Sequence, residues 1–128
     1  MDAEQALRLT NRNLIAFDLA LGSGALLAPD ATLRVIGHDP PSDDARELFR
    51  RCAPIWLTFV AAHALADRRG ARSDWWAVAW LRGSEVLTDV VWSASPALSR
   101  PGKAKLRFAG AFNLALAAGC AAVARRRR

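Results

Sequence analysis

The sequence predicts an all-α fold: a four-helix transmembrane bundle, antiparallel and up-down, with a longer first loop containing a short helix that leads into the second span. Three observations carry this reading. Apolar residues fall in four blocks separated by short charged stretches. The last block has no charged residue from Phe108 through Ala124, so it offers water no face. Trp75, Trp76 and Trp92 sit at the ends of the third block, where interfacial anchors belong. At 128 residues the chain is one domain, residues 1–128.

The first block, Leu14 to Ala28, is entered through Thr10-Asn11-Arg12-Asn13 and stopped at Pro29. The longest connection follows, Pro29 to Arg51, with a turn at Pro40-Pro41-Ser42-Asp43-Asp44. Ser42 or Asp43 is placed to cap a helix starting near Ala45 and running into block two, Cys52 to Ala66. Block three, Trp75 to Trp92, opens at an Asp74 cap and closes before Ser95-Pro96; block four, Leu106 to Ala124, ends at the arginine run. Ala and Leu dominate each block while Gly and Pro gather at the ends, which favours helix over strand. Crossing ~30 Å of hydrocarbon takes about 20 residues. The expected spans are therefore near 12–28, 50–67, 75–92 and 106–124.

Charge points the same way. Eighteen Lys and Arg against twelve acids give +6, which on its own invites a nucleic-acid reading. Yet Arg125 to Arg128 supply four of these charges, and most others bracket apolar blocks. No zinc-finger spacing or RNA-binding signature accompanies them, so no nucleic-acid partner is expected. Four spans put both termini on one side, with Arg8, Arg12, Arg68, Arg69, Arg72 and the terminal arginines making nine against eight opposite. The arginine tail abutting a span favours both termini in the cytoplasm, in a multi-pass protein of the inner membrane. No cleavable signal peptide is expected.

Function is sought where the membrane pattern is broken, because an ionisable group at mid-bilayer costs roughly 2.5–3.5 kcal/mol. The breaks are Asp18, His63, Arg82, Glu85, Asp89 and Asn113, at least one in every block. Arg82, Glu85 and Asp89 stand at i, i+3 and i+7, on one helical face, with Thr88 beside the carboxylate pair. Ala79, Val86 and Val90 are expected on the opposite, lipid-facing side. Counting along antiparallel spans puts Asp18, Arg82, Glu85 and Asn113 near one level, which predicts a polar pocket. One arginine against several carboxylates leaves carboxylate in surplus, the situation proton transfer requires.

The catalytic candidates are therefore Glu85, Asp89, Arg82, Asp18 and His63. Asn113, Trp56, Trp80 and Thr88 are candidates for lining the substrate. The plainer alternative is a buried ion-pair network in which Arg82 is neutralised by Asp18 or Glu85, His63 pairs with Asp67 near the interface, and Asn113 joins helices. His38 reads as a solvated loop residue. No metal is expected from His38 and His63, and no cofactor from any motif. Cys52 and Cys120 fall near opposite faces, which argues against a disulfide.

Leu27-Ala28-Pro29-Asp30 with Leu33-Arg34-Val35-Ile36-Gly37 after the first block, and Leu81-Arg82-Gly83-Ser84-Glu85 with Asp89 in the third, resemble small four-helix membrane proteins of the DoxX-like kind. Cys52-Ala53-Pro54-Ile55-Trp56 departs from that pattern, which has a more polar, glycine-bearing start to the second span. The resemblance implies the four-span fold and adds little on activity.

From the residues, the expected function is a membrane-embedded acid–base enzyme using a carboxylate pair and an arginine. Its reaction would be epoxide opening, isomerisation or cyclisation of a lipid-soluble terpenoid- or polyketide-like molecule. The alternatives are a small proton-coupled or multidrug-type transporter, with a homodimer as its working form, or an accessory membrane subunit. The expected surroundings are the lipid bilayer and an apolar small molecule.

Overall fold

The computed structural model describes residues 2–127, and these form five α-helices: α1 Ala3–Leu27, α2 Pro29–Ile36, α3 Asp43–Arg68, α4 Arg72–Ser93 and α5 Arg100–Arg126. Helix α1 begins on a reciprocal cap, with Asp2 Oδ1 accepting from the Gln5 amide at 2.8 Å and Gln5 Oε1 accepting from the Asp2 amide at 3.0 Å. Proline has no amide to extend α1, so that helix stops at Leu27. The same Pro29 then starts α2, because a missing N–H costs nothing in the first turn of a new helix. This separate helix was not expected from the sequence, which placed the loop's helical turn directly before the second span.

Helix α2 ends on Gly37, whose φ of 109° lets its amide and that of His38 return to the Leu33 carbonyl at 3.0 and 2.9 Å. Ser42 caps α3 as expected, accepting from the Ala45 amide at 3.2 Å, with Asp43 and Asp44 facing the positive end of the helix dipole. The helix then continues unbroken through Pro54 to Arg68. Helix α4 starts earlier than expected, at Arg72; Asp74 lies inside its first turn and accepts from the Ala71 amide at 3.2 Å. Ser99 caps α5.

Helices α1 and α3 pack antiparallel along their length, as do α4 and α5; α3 joins the two pairs through α4, and α1 barely touches α5. The helical bundle is thus two hairpin-like layers closed on one side. Its interior is stratified. Toward the termini lies an apolar cluster of Leu14, Ala66, Trp75, Val78, Ala79, Leu116 and Cys120, extended by Val123 and Ala124. Toward the other end lie Ala25, Leu33, Phe49 and Ala53, with Trp56 and Trp92 against them. The polar residues of the middle of each helix fall between these two clusters. Both cysteines are free thiols.

By length and composition, α5 is the one described helix long and apolar enough to cross a membrane. The other long helices carry ionisable residues in their centres, and those residues point inward: Asp18, His63, Arg82 and Asp89 are buried. Ala79, expected on the outer face, is also buried, because α4 is clasped by both α3 and α5.

Candidate functional site

The middle layer is built from four helices. Asp18 of α1, His63 of α3 and Arg82 of α4 meet at its centre, each at most 3 % exposed. Arg82 Nη2 donates to Asp18 Oδ2. Its Nε and Nη2 also lie 2.9 and 2.7 Å from His63 Nε2, and its guanidinium stacks over the Phe59 ring at 4.9 Å. Two turns closer to the termini on α1, Asn11 closes the cluster. Its Nδ2 donates to the His63 carbonyl at 3.0 Å, so the atom 2.6 Å from His63 Nδ1 is the amide oxygen. Nδ1 therefore carries the imidazole proton, and Nε2 is left as the lone pair that accepts from Arg82.

A second polar contact lies two turns along α4, where Asn113 of α5 donates to Asp89 Oδ2 at 2.9 Å. Gly110 makes this approach feasible, since a Cβ there would meet the Asp89 Cβ at 3.3 Å. Glu85 stands between the two contacts on α4, half-buried, with no hydrogen-bond partner among the described residues. Asp18 Oδ1 is buried and likewise has no partner among them. The layer thus contains three carboxylates and one guanidinium, and the guanidinium's bonds go to Asp18 and His63.

The sequence-predicted residues divide cleanly. Asp18, His63 and Arg82 come together, as do Asp89 and Asn113, with Glu85 between. His63 does not pair with Asp67, which binds Arg12 at 2.8 Å instead. Arg82 makes its ion pair with Asp18 on another helix rather than with Glu85 on its own. Trp80 is 78 % exposed and Thr88 points outward, its hydroxyl satisfied by the Ser84 carbonyl at 3.2 Å, so neither lines the layer. Trp56 packs on Phe49 at 5.2 Å in the apolar cluster beyond it. The residues missing from the sequence-based set are Asn11 and Phe59. Their signal was present: Asn11 precedes Asp18 by seven residues and Phe59 precedes His63 by four, so each shares its neighbour's face.

The ends of the bundle are tied by exposed ion pairs. At the termini, Arg127 and Arg8 both reach Glu4, at 2.6 and 3.2 Å, and hold its carboxyl below the usual range, Arg127 having the larger effect. At the other end, Arg46 bonds Asp30 at 2.7 Å, lowering that carboxyl too and fastening α2 to α3. Among the described residues, no group of three or more His, Cys, Asp and Glu is placed to hold a metal ion. The chain matches no family model, no curated protein and no solved structure.

Proposed function

We propose that this chain is a four-span membrane protein of the DoxX-like kind whose middle layer performs acid–base chemistry on a lipid-soluble molecule. The observation that carries the reading is an inverted distribution of polarity. Asn11, Asp18, His63, Arg82, Asp89 and Asn113 are buried, whereas Phe17, Trp80, Leu87 and Phe108 stand 58–78 % exposed around the outside. In water each such side chain forgoes roughly 1.5–3 kcal/mol of burial; in hydrocarbon it forgoes nothing. The ionisable centres of α1, α3 and α4 lower the hydropathy of these helices without facing lipid. The basic terminal end, with Arg8, Arg68, Arg69, Arg72 and Arg125, is the cytoplasmic side in this reading.

Arg82 and Asp18 form the fixed part of the site, and Glu85 with Asp89 the reactive part. Asn113 orients Asp89 to take a proton from a water molecule or from an internal hydroxyl. The oxygen so activated attacks an epoxide carbon, and the departing epoxide oxygen takes its proton from Glu85. Proton return from Asp89 to Glu85 resets the pair. The same two groups would protonate an alkene and later remove a proton in an isomerisation or cyclisation.

Native mass spectrometry of the detergent-purified protein, wild type beside Glu85→Gln, tests both halves. A co-purifying apolar molecule in the wild type, replaced by its unconverted precursor in Glu85→Gln, is the expected result. Identical molecules in both proteins would dismiss the acid–base assignment. A chain that stays monodisperse in plain buffer would dismiss the membrane. Conversion in detergent, where no gradient exists, separates this enzyme from a proton-coupled transporter.

A further inference from the structure

The open seam of the bundle is a cleft of about 340 Å³ between α1 and α5. On α1 it is lined by Ala3, Glu4, Leu7 and Thr10, and on α5 by residues from Phe112 to Arg126. The lining runs ~21 Å along α5 and ~10 Å along α1, at 1.5 Å per residue. Its volume lies at the low end of the ~300–1,000 Å³ of small-molecule sites, so a long, narrow guest fits and a bulky ring system does not. The walls are apolar, with Gly119 and Ala122 giving the depth.

The charge at the mouth says which end of the guest belongs there. Glu4 is already neutralised by Arg8 and Arg127. Arg126, on the lip, has no acidic partner among the described residues. Arg125 beside it lies over the Trp76 ring at 5.8 Å. A basic lip above an apolar slot that runs toward the bundle centre suits an anionic amphiphile inserted tail first.

We propose that this cleft binds one acyl chain of an anionic phospholipid, with the phosphate held by Arg126 at the terminal end of the bundle. The site rests on the membrane reading and is independent of the acid–base assignment. The chain end reaches Phe112, adjacent to Asn113, so the occupied cleft also covers the flank of the bundle where α1 and α5 touch least.

Native mass spectrometry from mixed micelles containing phosphatidylglycerol and phosphatidylcholine in equal amounts reads the site directly. The wild type is expected to retain phosphatidylglycerol. Arg126→Glu, an exposed change, should lower the phosphatidylglycerol-to-phosphatidylcholine ratio about tenfold, since it reverses a charge beside the phosphate. Ala122→Phe, also at an exposed position, should fill the cleft and remove both lipids. Gly119→Leu offers a second block deeper in, where the nearest neighbour is the mobile end of Leu7 at 3.3 Å. Equal lipid retention by the wild type and both blocked variants would overturn the proposal. So would a dimer that dissociates in Ala122→Phe with its lipid still bound, because the seam would then be a self-association face. Solubility in plain buffer would instead remove the membrane reading beneath it.

Discussion

Asn11 sets the tautomer of His63. The amide is locked by its own donation to the His63 carbonyl at 3.0 Å, and this turns its oxygen to the imidazole Nδ1 at 2.6 Å. Nε2 is thereby committed as the acceptor for Arg82, and the arrangement holds α1, α3 and α4 at one level.

Replacing Asn11 by Leu should therefore do two things. It leaves the His63 Nδ1–H unpaired, because the His63 carbonyl keeps its helical partner, at a cost of about 1–3 kcal/mol in unfolding free energy. It also releases the tautomer. The ¹⁵N spectrum of the His63 ring is expected to show a protonated Nδ1 and a bare Nε2 in the wild type, and a mixture in Asn11→Leu. A wild-type ring protonated at Nε2 would contradict the geometry.

The Asp18–Arg82 pair predicts strong coupling. Removing one partner leaves a buried charge uncompensated, so Arg82→Met alone should cost about 3–5 kcal/mol. Replacing both with apolar residues, Asp18→Leu with Arg82→Met, should cost much less than the sum of the two single changes, because no charge remains to be solvated. Denaturation of the four proteins in one detergent measures this. Additive losses would mean that the two side chains do not act as a pair.

Two glycines predict opposite signs for the same substitution. At Gly102 a Cβ would lie 2.8 Å from the Ile36 carbonyl oxygen and 2.9 Å from Gly37 Cα, where α2 docks on the start of α5. Gly102→Ala should destabilise by about 1–3 kcal/mol and speed hydrogen exchange in α2. At Gly83 the nearest atom is Ala117 Cβ at 3.9 Å, in the interior of α4. Gly83→Ala should stabilise by about 0.5–1 kcal/mol. Melting curves of the two variants decide the matter, and a stabilised Gly102→Ala would sink the docking account.

The Glu4 stitch should be acid-labile. Its carboxyl is held below the ordinary 4.5 by Arg127 and then Arg8. The stabilisation is thus fully present above 4.5 and fades as pH falls through the lower folded value. The pair is partly exposed, so the effect is under about 1 kcal/mol. The melting temperatures of wild type and Glu4→Gln should therefore differ at neutral pH and converge in acid. A gap that widens in acid would reverse the sign.

Local pattern made much of this molecule legible. Spacing along each helix marked Asp18 with Asn11, and Arg82 with Asp89, as residues of one face; the Ser42 cap and the four long helices followed from short-range chemistry. Pro29 misled because proline stops one helix and starts another with equal ease, and the second helix gets its place from tertiary contacts: Leu33 in the apolar cluster, Asp30 on Arg46, and Gly37 against Gly102. Trp80 and Thr88 misled because they lie inside a block by position but outside the bundle by rotation.

The sequence by itself determined the four long helices and which side chains travel together, since both depend on a period of 3.6 residues and on groups within a turn of each other. Tertiary structure decided who meets whom. Arg82 had Glu85 one turn away on its own helix, yet it binds Asp18 across the bundle, because the rotation of α4 between α3 and α5 points the guanidinium at α1. The open α1–α5 seam has the same origin: it depends on how two helix pairs lean together, and no interval along the chain encodes that angle.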